Sequence, residues 1–161
     1  NKDEPKINEI MAAGNVLVEE EPSIAKKTEQ EVLEDMKKYP ERVQFATPVD
    51  NGDFETQATL PFSFSYNFKY NVTTDNFSNF TYPRQTVTLN VNKSSASYVY
   101  ASLYRLSDNY FFGTRIYPTG QASAASFTNA GLGTFYVRLT NSSPSGSKVS
   151  TSGTGSITGG Y

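Results

Sequence analysis

Residues Phe62 to Tyr70 read Phe-Ser-Phe-Ser-Tyr-Asn-Phe-Lys-Tyr, a strict alternation of aromatic and polar side chains. Successive side chains of a strand point to opposite faces, so Phe62, Phe64, Tyr66, Phe68 and Tyr70 fall on one side and Ser63, Ser65, Asn67 and Lys69 on the other. Burying five rings of ~150–250 Å² each, at ~25 cal/mol per Å², contributes on the order of 20 kcal/mol before entropy is counted. A face of that kind needs a second sheet to cover it, or it aggregates. The stretch is expected to be the first core strand of an all-β domain running to the C-terminus.

The rest of that domain supports the expectation. Gln85 to Asn92 alternates Val87, Leu89 and Val91, and Ser97 to Leu106 sets Tyr98, Tyr100, Ser102 and Tyr104 against Val99, Ala101 and Leu103. Tyr110 to Tyr117 follows the turn Ser107-Asp-Asn109 as a hairpin return, Gln121 to Thr128 is a weaker strand of small residues, and Gly133 to Asn141 points Phe135, Val137 and Leu139 inward. A last strand is expected from about Lys148 to Ile157. Short strands at this spacing, separated by turn residues, indicate an antiparallel β-sandwich, jelly-roll-like, of seven or eight strands.

The segment ahead of residue 56 has a different character. It holds fourteen of the sixteen acids against seven bases, a net of −7, whereas residues 56–161 carry seven bases against Asp75 and Asp108, a net of +5. Two parts are expected: an acidic N-terminal arm over 1–55 and a sandwich domain over 56–161. In the arm, Val16 to Val18 suits an edge strand. Ser23 is placed to cap a helix over about 23–38, with Ile24, Thr28, Val32 and Met36 at four-residue spacing, Ala25 and Leu33 widening the stripe, Lys27–Glu31 and Glu34–Lys38 pairs, and Pro40 ending it. Such a short helix needs tertiary contacts to persist, so it is expected to pack on an end or edge of the sandwich; a pro-segment covering a site and a partner-binding helix are the other readings. Glu41 to Thr59 is expected to be a linker. Its Asp50, Asp53 and Glu55 are three carboxylates within six residues, a set compatible with Ca²⁺, although their spacing is not that of an EF-hand and Asp50-Asn-Gly is chiefly a turn signal.

The chain has no His and no Cys. Ser-His-Asp and Cys-His nucleophiles, His- or Cys-held zinc and the His general base are therefore excluded. A glycosidase needs a pair of carboxyl groups, and the sandwich domain offers only Asp75 and Asp108. Lys93-Ser94-Ser95 is an uninformative adjacency in a serine-rich chain, and the glycine run Gly153 to Gly159 lacks dinucleotide spacing. No enzyme is expected, and no cofactor beyond the Ca²⁺ just mentioned. The modest positive charge, without a Lys or Arg cluster, argues against nucleic acid. The uncharged run Ile116 to Val137 carries too many Ser, Thr, Asn, Gln, Gly and Pro to span a membrane. A sandwich rich in Ser, Thr, Asn, Gly and Tyr, with neither Met nor leader at Asn1, suits an extracellular or cell-surface location after removal of a signal.

The run Thr86-Val-Thr-Leu-Asn-Val, then Val99-Tyr-Ala-Ser-Leu-Tyr104, a Gly near residue 120, and Gly133-Thr-Phe-Tyr-Val-Arg-Leu-Thr-Asn141 resemble the bacterial pre-peptidase C-terminal type of domain and small Gram-positive secreted β-sandwich proteins. The resemblance covers about residues 60–157. It implies a non-catalytic, jelly-roll-like module of an exported protein, a class that sometimes binds Ca²⁺, polysaccharide or collagen-like fibres. Where family members often carry acids beside the Leu-Tyr strand, this chain has Tyr98, Tyr100 and Ser102.

Candidate ligand-binding residues follow from the strand alternation. With Val99, Ala101 and Leu103 inward, Tyr98, Tyr100 and Tyr104 form an outer platform able to stack on sugars or a protein, with Arg105, Arg115 and Arg138 nearby; the competing reading packs those tyrosines beneath the acidic helix. In the polar stretch Asn71 to Pro83, Phe77, Phe80 and Tyr82 either stack on sugars or, as the favoured reading, pin the loop to the core. The sequons at Asn71, Asn76, Asn79, Asn92 and Asn141 are expected to be accidental. The expected function is a secreted or cell-surface, non-enzymatic binding module for an extracellular or cell-envelope polymer or protein. The alternative is an assembly protein that self-associates through strand edges or the N-terminal arm.

Overall fold

A computed structural model of the chain describes residues 15–18, 27–49, 58–74, 76–92, 98–128, 132–142 and 149–160. In chain order these form strand β1 (Asn15–Val18), helix α1 (Glu29–Lys38), a 3₁₀ turn (Pro40–Arg42), and strands β2 (Val43–Phe45), β3 (Thr47–Pro48), β4 (Ala58–Phe68), β5 (Asn71–Thr73), β6 (Phe77–Asn79), β7 (Arg84–Val91), β8 (Tyr98–Arg105), β9 (Phe111–Pro118), β10 (Ala122–Thr128), β11 (Gly133–Asn141) and β12 (Thr151–Gly160). Two sheets result. One has the order β1-β4-β12-β7-β10-β3 and the other β2-β9-β8-β11-β5, with β6 also on β11. The fold is the expected two-sheet sandwich with one short helix. Its long strands pair antiparallel, while β1 on β4 and β2 on β9 are parallel, because the N-terminal segment enters those edges from other elements and not through hairpins.

The alternation of β4 decides where the core lies. Phe64, Tyr66 and Phe68 are buried, neighbouring rings standing 6.4 and 5.7 Å apart, while Tyr70 falls beyond the strand and is exposed. The facing sheet answers with Val99, Ala101 and Leu103 of β8 and Phe135, Val137 and Leu139 of β11, all closed to solvent. Tyr117 joins the two layers, its hydroxyl donating to the Val87 carbonyl at 2.6 Å. The last strand lies about three residues beyond the expected Lys148 to Ile157. Its glycines extend the strand because rings occupy the space that side chains would take: a Cβ on Gly155 would stand 2.6 Å from Phe64 and Leu89.

The N-terminal segment does more than the expected arm and linker. Its strands β1, β2 and β3 stand at the β4, β9 and β10 edges, so part of the expected linker is sheet. The helix is shorter than predicted. Thr28 caps it instead of Ser23, which lies outside the described residues. The Thr28 side chain accepts from the Glu31 N–H at 3.2 Å while the Glu31 carboxylate accepts from the Thr28 N–H at 2.9 Å, a capping box. Glu31 is thereby engaged at the cap, and Lys27, ahead of the helix, pairs with Asp35 at 3.1 Å. Only Val32 of the helix is fully buried, Met36 is half-buried, and Leu33 is exposed.

Gly155→Ala is expected to destabilise the fold by about 1–3 kcal/mol, since the added methyl has to displace ring and leucine atoms of the close-packed core. Urea denaturation checks this; an unchanged midpoint would contradict the packing described for β12.

Candidate functional site

With Val99, Ala101 and Leu103 turned to the core, the other side chains of β8 face outward, and the register of its neighbours extends that face into rows. Phe45, Ile116, Tyr100, Thr140 and Asn71 stand in one row across β2, β9, β8, β11 and β5. The next row is Val43, Thr114, Ser102, Arg138 and Thr73. Tyr104 and Tyr136 follow, paired across β8 and β11 and stacked at 5.5 Å.

Helix α1 covers the last of these rows. Val32 seals against Tyr104, Phe111 and Tyr136, with Met36, Tyr39 and Leu106 around them. Polar groups fix the helix in place. The Tyr104 hydroxyl donates to Asp35 at 2.9 Å, and the Lys27 N–H donates to the Tyr136 hydroxyl, which itself donates to the Asn109 side chain. Asn109 holds a left-handed φ of 54° at the β8–β9 turn. A bulge opposite Tyr104 sends Phe111 toward the helix and Phe112 into the main core. Gly113 supplies the φ of +145° that follows, where a Cβ would lie 2.5 Å from the Arg42 carbonyl.

Beyond the helix the middle of the face, at Thr114, Ser102 and Thr140, is closed to solvent, and the β2–β8 end is open. Phe45 is 63% exposed and Tyr98 38%, their rings in edge contact at 5.8 Å, and Tyr100 and Ile116 beside them are half-buried. At the other end of the same row a groove of about 690 Å³ separates α1 from β5 and β11, lined by Thr28, Glu29, Gln30, Leu33, Glu34, Lys37, Asn71 and Arg138. Asn71 belongs to both row and groove: its carbonyl accepts from the Arg138 guanidinium, which also donates to Thr73, and its amide donates to Glu29.

The sequence-predicted residues separate accordingly. Tyr98 and Tyr100 lie on the open face. Tyr104 does not: it is closed to solvent beneath the helix, so the three tyrosines form no single platform. Arg105 sits at the β8–β9 turn, bonded to Asp108 at 2.9 and 3.0 Å, with its guanidinium over the Tyr110 ring; that bond holds the Asp108 carboxyl below its ordinary range. Arg115 is on the opposite face from the tyrosines. It is buried at the rim of the core, 4.2 Å over Phe127, and donates to the Arg42, Thr114 and Ser126 carbonyls, which replace the water that the cation loses. Phe77 is buried against Phe135, and the Tyr82 ring lies on Gly159, both pinning their segment. Asn79 and Asn141, two of the sequon asparagines, are buried and bonded to backbone. Asp50, Asp53 and Glu55 lie outside the described residues. Sequence reasoning missed Phe45 and Ile116, although Val43-Gln-Phe45 already carries the alternation of a short strand.

No family model matches the chain, and no curated protein matches it in sequence. The structure is similar to the CBM36-1 domain of a multidomain xylanase from the hindgut metagenome of Trinervitermes trinervoides, with 15% identity and a TM-score of 0.40 over 72% of this chain and 91% of that one. It is similar to a CBM36 carbohydrate-binding module in complex with calcium and xylotriose, with 12% identity and a TM-score of 0.38 over 63% and 85%. It is also similar to the pre-peptidase C-terminal domain of collagenase from Bacillus anthracis, with 12% identity and a TM-score of 0.36 over 86% and 99%. That last domain is of the type the sequence resembles. At these values the likeness extends to the two-sheet architecture and no further. No helix among the described residues is long and apolar enough to cross a membrane.

The buried tyrosines give the fold an alkaline limit. Burial pushes the Tyr136 hydroxyl up to about 12, burial together with the Asp35 carboxylate raises that of Tyr104, and burial raises those of Tyr66 and Tyr117. Unfolded tyrosines ionise near 10. Between about 10 and about 12 the folded chain retains protons that the unfolded chain has released, so stability falls as pH rises through that window. The melting temperature followed by circular dichroism is expected to drop above pH about 10, and Tyr136→Phe, which cannot ionise, to drop less steeply. Equal slopes would contradict the burial of Tyr136.

Proposed function

We propose that this domain is a non-enzymatic binding module of an exported or cell-surface protein, and that it holds an extracellular polymer on the open β2–β8 end of its second sheet. One observation carries the reading: Phe45 and Tyr98 stand out from a sheet whose other large rings are packed, in edge contact and in line with Tyr100. Exposed rings gathered on one rigid face mark a contact surface, whereas single exposed apolar residues are ordinary. The strip belongs to strands, so its rings are held in place before a ligand arrives and little ordering entropy is lost on binding. At the far end of the same face, the groove between the helix and Asn71 carries Asn, Thr, Glu, Gln and Arg side chains, donors and acceptors of the kind that orient a polar ligand. Neither His nor Cys is present to serve as nucleophile or base, and the groove acids Glu29 and Glu34 belong to a helix whose other contacts are packing and caps.

A second reading, assembly between copies, draws on the three short strands that the N-terminal segment lays on the edges of β4, β9 and β10. If those strands pass between chains, sedimentation shows multimers that grow with concentration and vanish when residues 1–55 are deleted.

For the first reading, retention on immobilised extracellular polysaccharides and fibrous proteins is expected to be lost in the Phe45→Ala/Tyr98→Ala double variant. It is expected to persist in Phe80→Ala, a ring 68% exposed in the turn after β6. Equal retention by all three proteins would refute the site.

A further inference from the structure

We propose that helix α1 is an autoinhibitory cover: it swings as a unit about Tyr39–Pro40 and uncovers Tyr104, Phe111 and Tyr136, a second ring surface for the polymer held at the β2–β8 end of the same sheet. The inhibitory role rests on the reading just given, whereas the opening of the helix stands apart from it.

The helix is not part of what holds the sandwich together. Among the described residues the main core, between the sheets, contains no helix side chain; Val32 and Met36 belong to a separate cluster on the outer face, with Tyr104, Phe111 and Tyr136. The strands beneath are paired on both sides, β8 with β9 and β11, and β11 with β8, β5 and β6, so their ladders stay intact when the helix leaves. Val32 is the one fully buried residue of α1, and along its flank the groove of about 690 Å³ keeps the helix apart from β5 and β11, with Leu33 42% exposed. Of the bonds to the sheet, those from the Lys27 N–H to Tyr136 and from Asn71 to Glu29 are 3.3 and 3.4 Å long, beyond the usual length of about 2.9–3.0 Å. A segment with few buried apolar contacts of its own opens before the body it rests on.

The hinge is built into the sequence. Tyr39 leaves the helical conformation, with φ −126° and ψ 64°, and Pro40, which has no N–H, stops the helix there. Just beyond, Arg42 is fixed to the sheet, donating to the Phe111 carbonyl at 2.9 Å and lying 4.2 Å from the Tyr39 ring. The surface beneath the helix suits a change of partner. The Tyr104 and Tyr136 rings stack at 5.5 Å, with their hydroxyls donating to Asp35 on the helix and to Asn109 on the β8–β9 turn. Water replaces Asp35 when the helix lifts, while Asn109 stays with Tyr136, so opening leaves neither hydroxyl unanswered. Stacked phenol rings with hydroxyls at their rim form an amphipathic surface of the kind that takes up polar polymers.

Hydrogen-exchange mass spectrometry of the whole chain tests the opening. The amides of α1 are expected to exchange faster than those of β8 and β11, and about tenfold faster again in Val32→Ala, which removes the wedge. Gly155→Ala, which loosens the main core, is expected to speed the strands and leave the helix unchanged, because helix and sandwich then open separately. Helix amides that exchange at the strand rates, that accelerate with Gly155→Ala, or that ignore Val32→Ala overturn the cover. Retention on immobilised xylan, chitin and collagen tests the inhibitory role: it is expected to rise several-fold in Val32→Ala and in Tyr104→Phe, which loses the Asp35 bond and keeps the ring. Unchanged or weaker retention, with the helix shown to open, refutes that role and leaves the Phe45–Tyr98 site standing. Retention of neither the native chain nor the variants refutes both the role and the site.

Discussion

The contact between the inner faces of β4, β8 and β11 governs the rest of the molecule. Once the rings of β4 lie against Val99, Ala101 and Leu103, and against Phe135, Val137 and Leu139, the two-residue period of a strand leaves no choice for the remaining side chains. Tyr98, Tyr100, Ser102 and Tyr104 must leave the core together, as must Tyr136, Arg138 and Thr140. A one-residue slip in either strand would bring Arg138 and Ser102 inside and put Leu103 and Val137 in water. The outer face is thus a by-product of core packing, and its composition is what the chain was free to vary.

That face has more rings than solvent tolerates, and the fold resolves the excess in two ways. Half of it is covered: the ten-residue helix is too short to persist in isolation, and Tyr104, Phe111 and Tyr136 supply the contacts that keep it folded, with Val32 as the wedge and Asp35 and Lys27 bonded to the tyrosine hydroxyls. The other half, from Tyr98 to Phe45, is left open. The tyrosines that sequence alternation groups as one set are therefore split by a helix lying across their strand, and position along β8 decides which of them is exposed.

The sandwich was legible in the sequence because period-two patterning is enforced wherever one face is buried, and β4, β7, β8 and β11 all display it. The helix start is legible as well, in Thr28-Glu-Gln-Glu31, but Thr28 also falls on the four-residue apolar spacing, which moves the expected cap to Ser23. Three features were not legible, for separate physical reasons. Arg115 reads as a surface cation because burying a charge is costly, and only the fold brings three carbonyls and the Phe127 ring to it. The glycines of β12 read as turn signals because their partners, Phe64, Tyr66 and Tyr82, are distant in sequence. Phe45 reads as linker because a three-residue strand gains its stability from the edge it joins, and nothing local announces which edge that is.

The division of charge along the chain, −7 before residue 56 and +5 after it, suggests a polar molecule with a basic face. Folding brings acids to two of the sandwich's bases and turns a third inward. The acidic helix lies on the side of the sheet from which Arg138 projects, so Glu29 and Glu34 share a groove with that guanidinium, and Lys27 and Lys37 travel with the helix to offset its remaining acids. Arg105 is neutralised within its own turn by Asp108, and Arg115 is turned inward. What the sequence presents as an acidic arm joined to a basic domain becomes, among the described residues around the helix and the β8–β9 turn, a set of acids and bases placed beside one another.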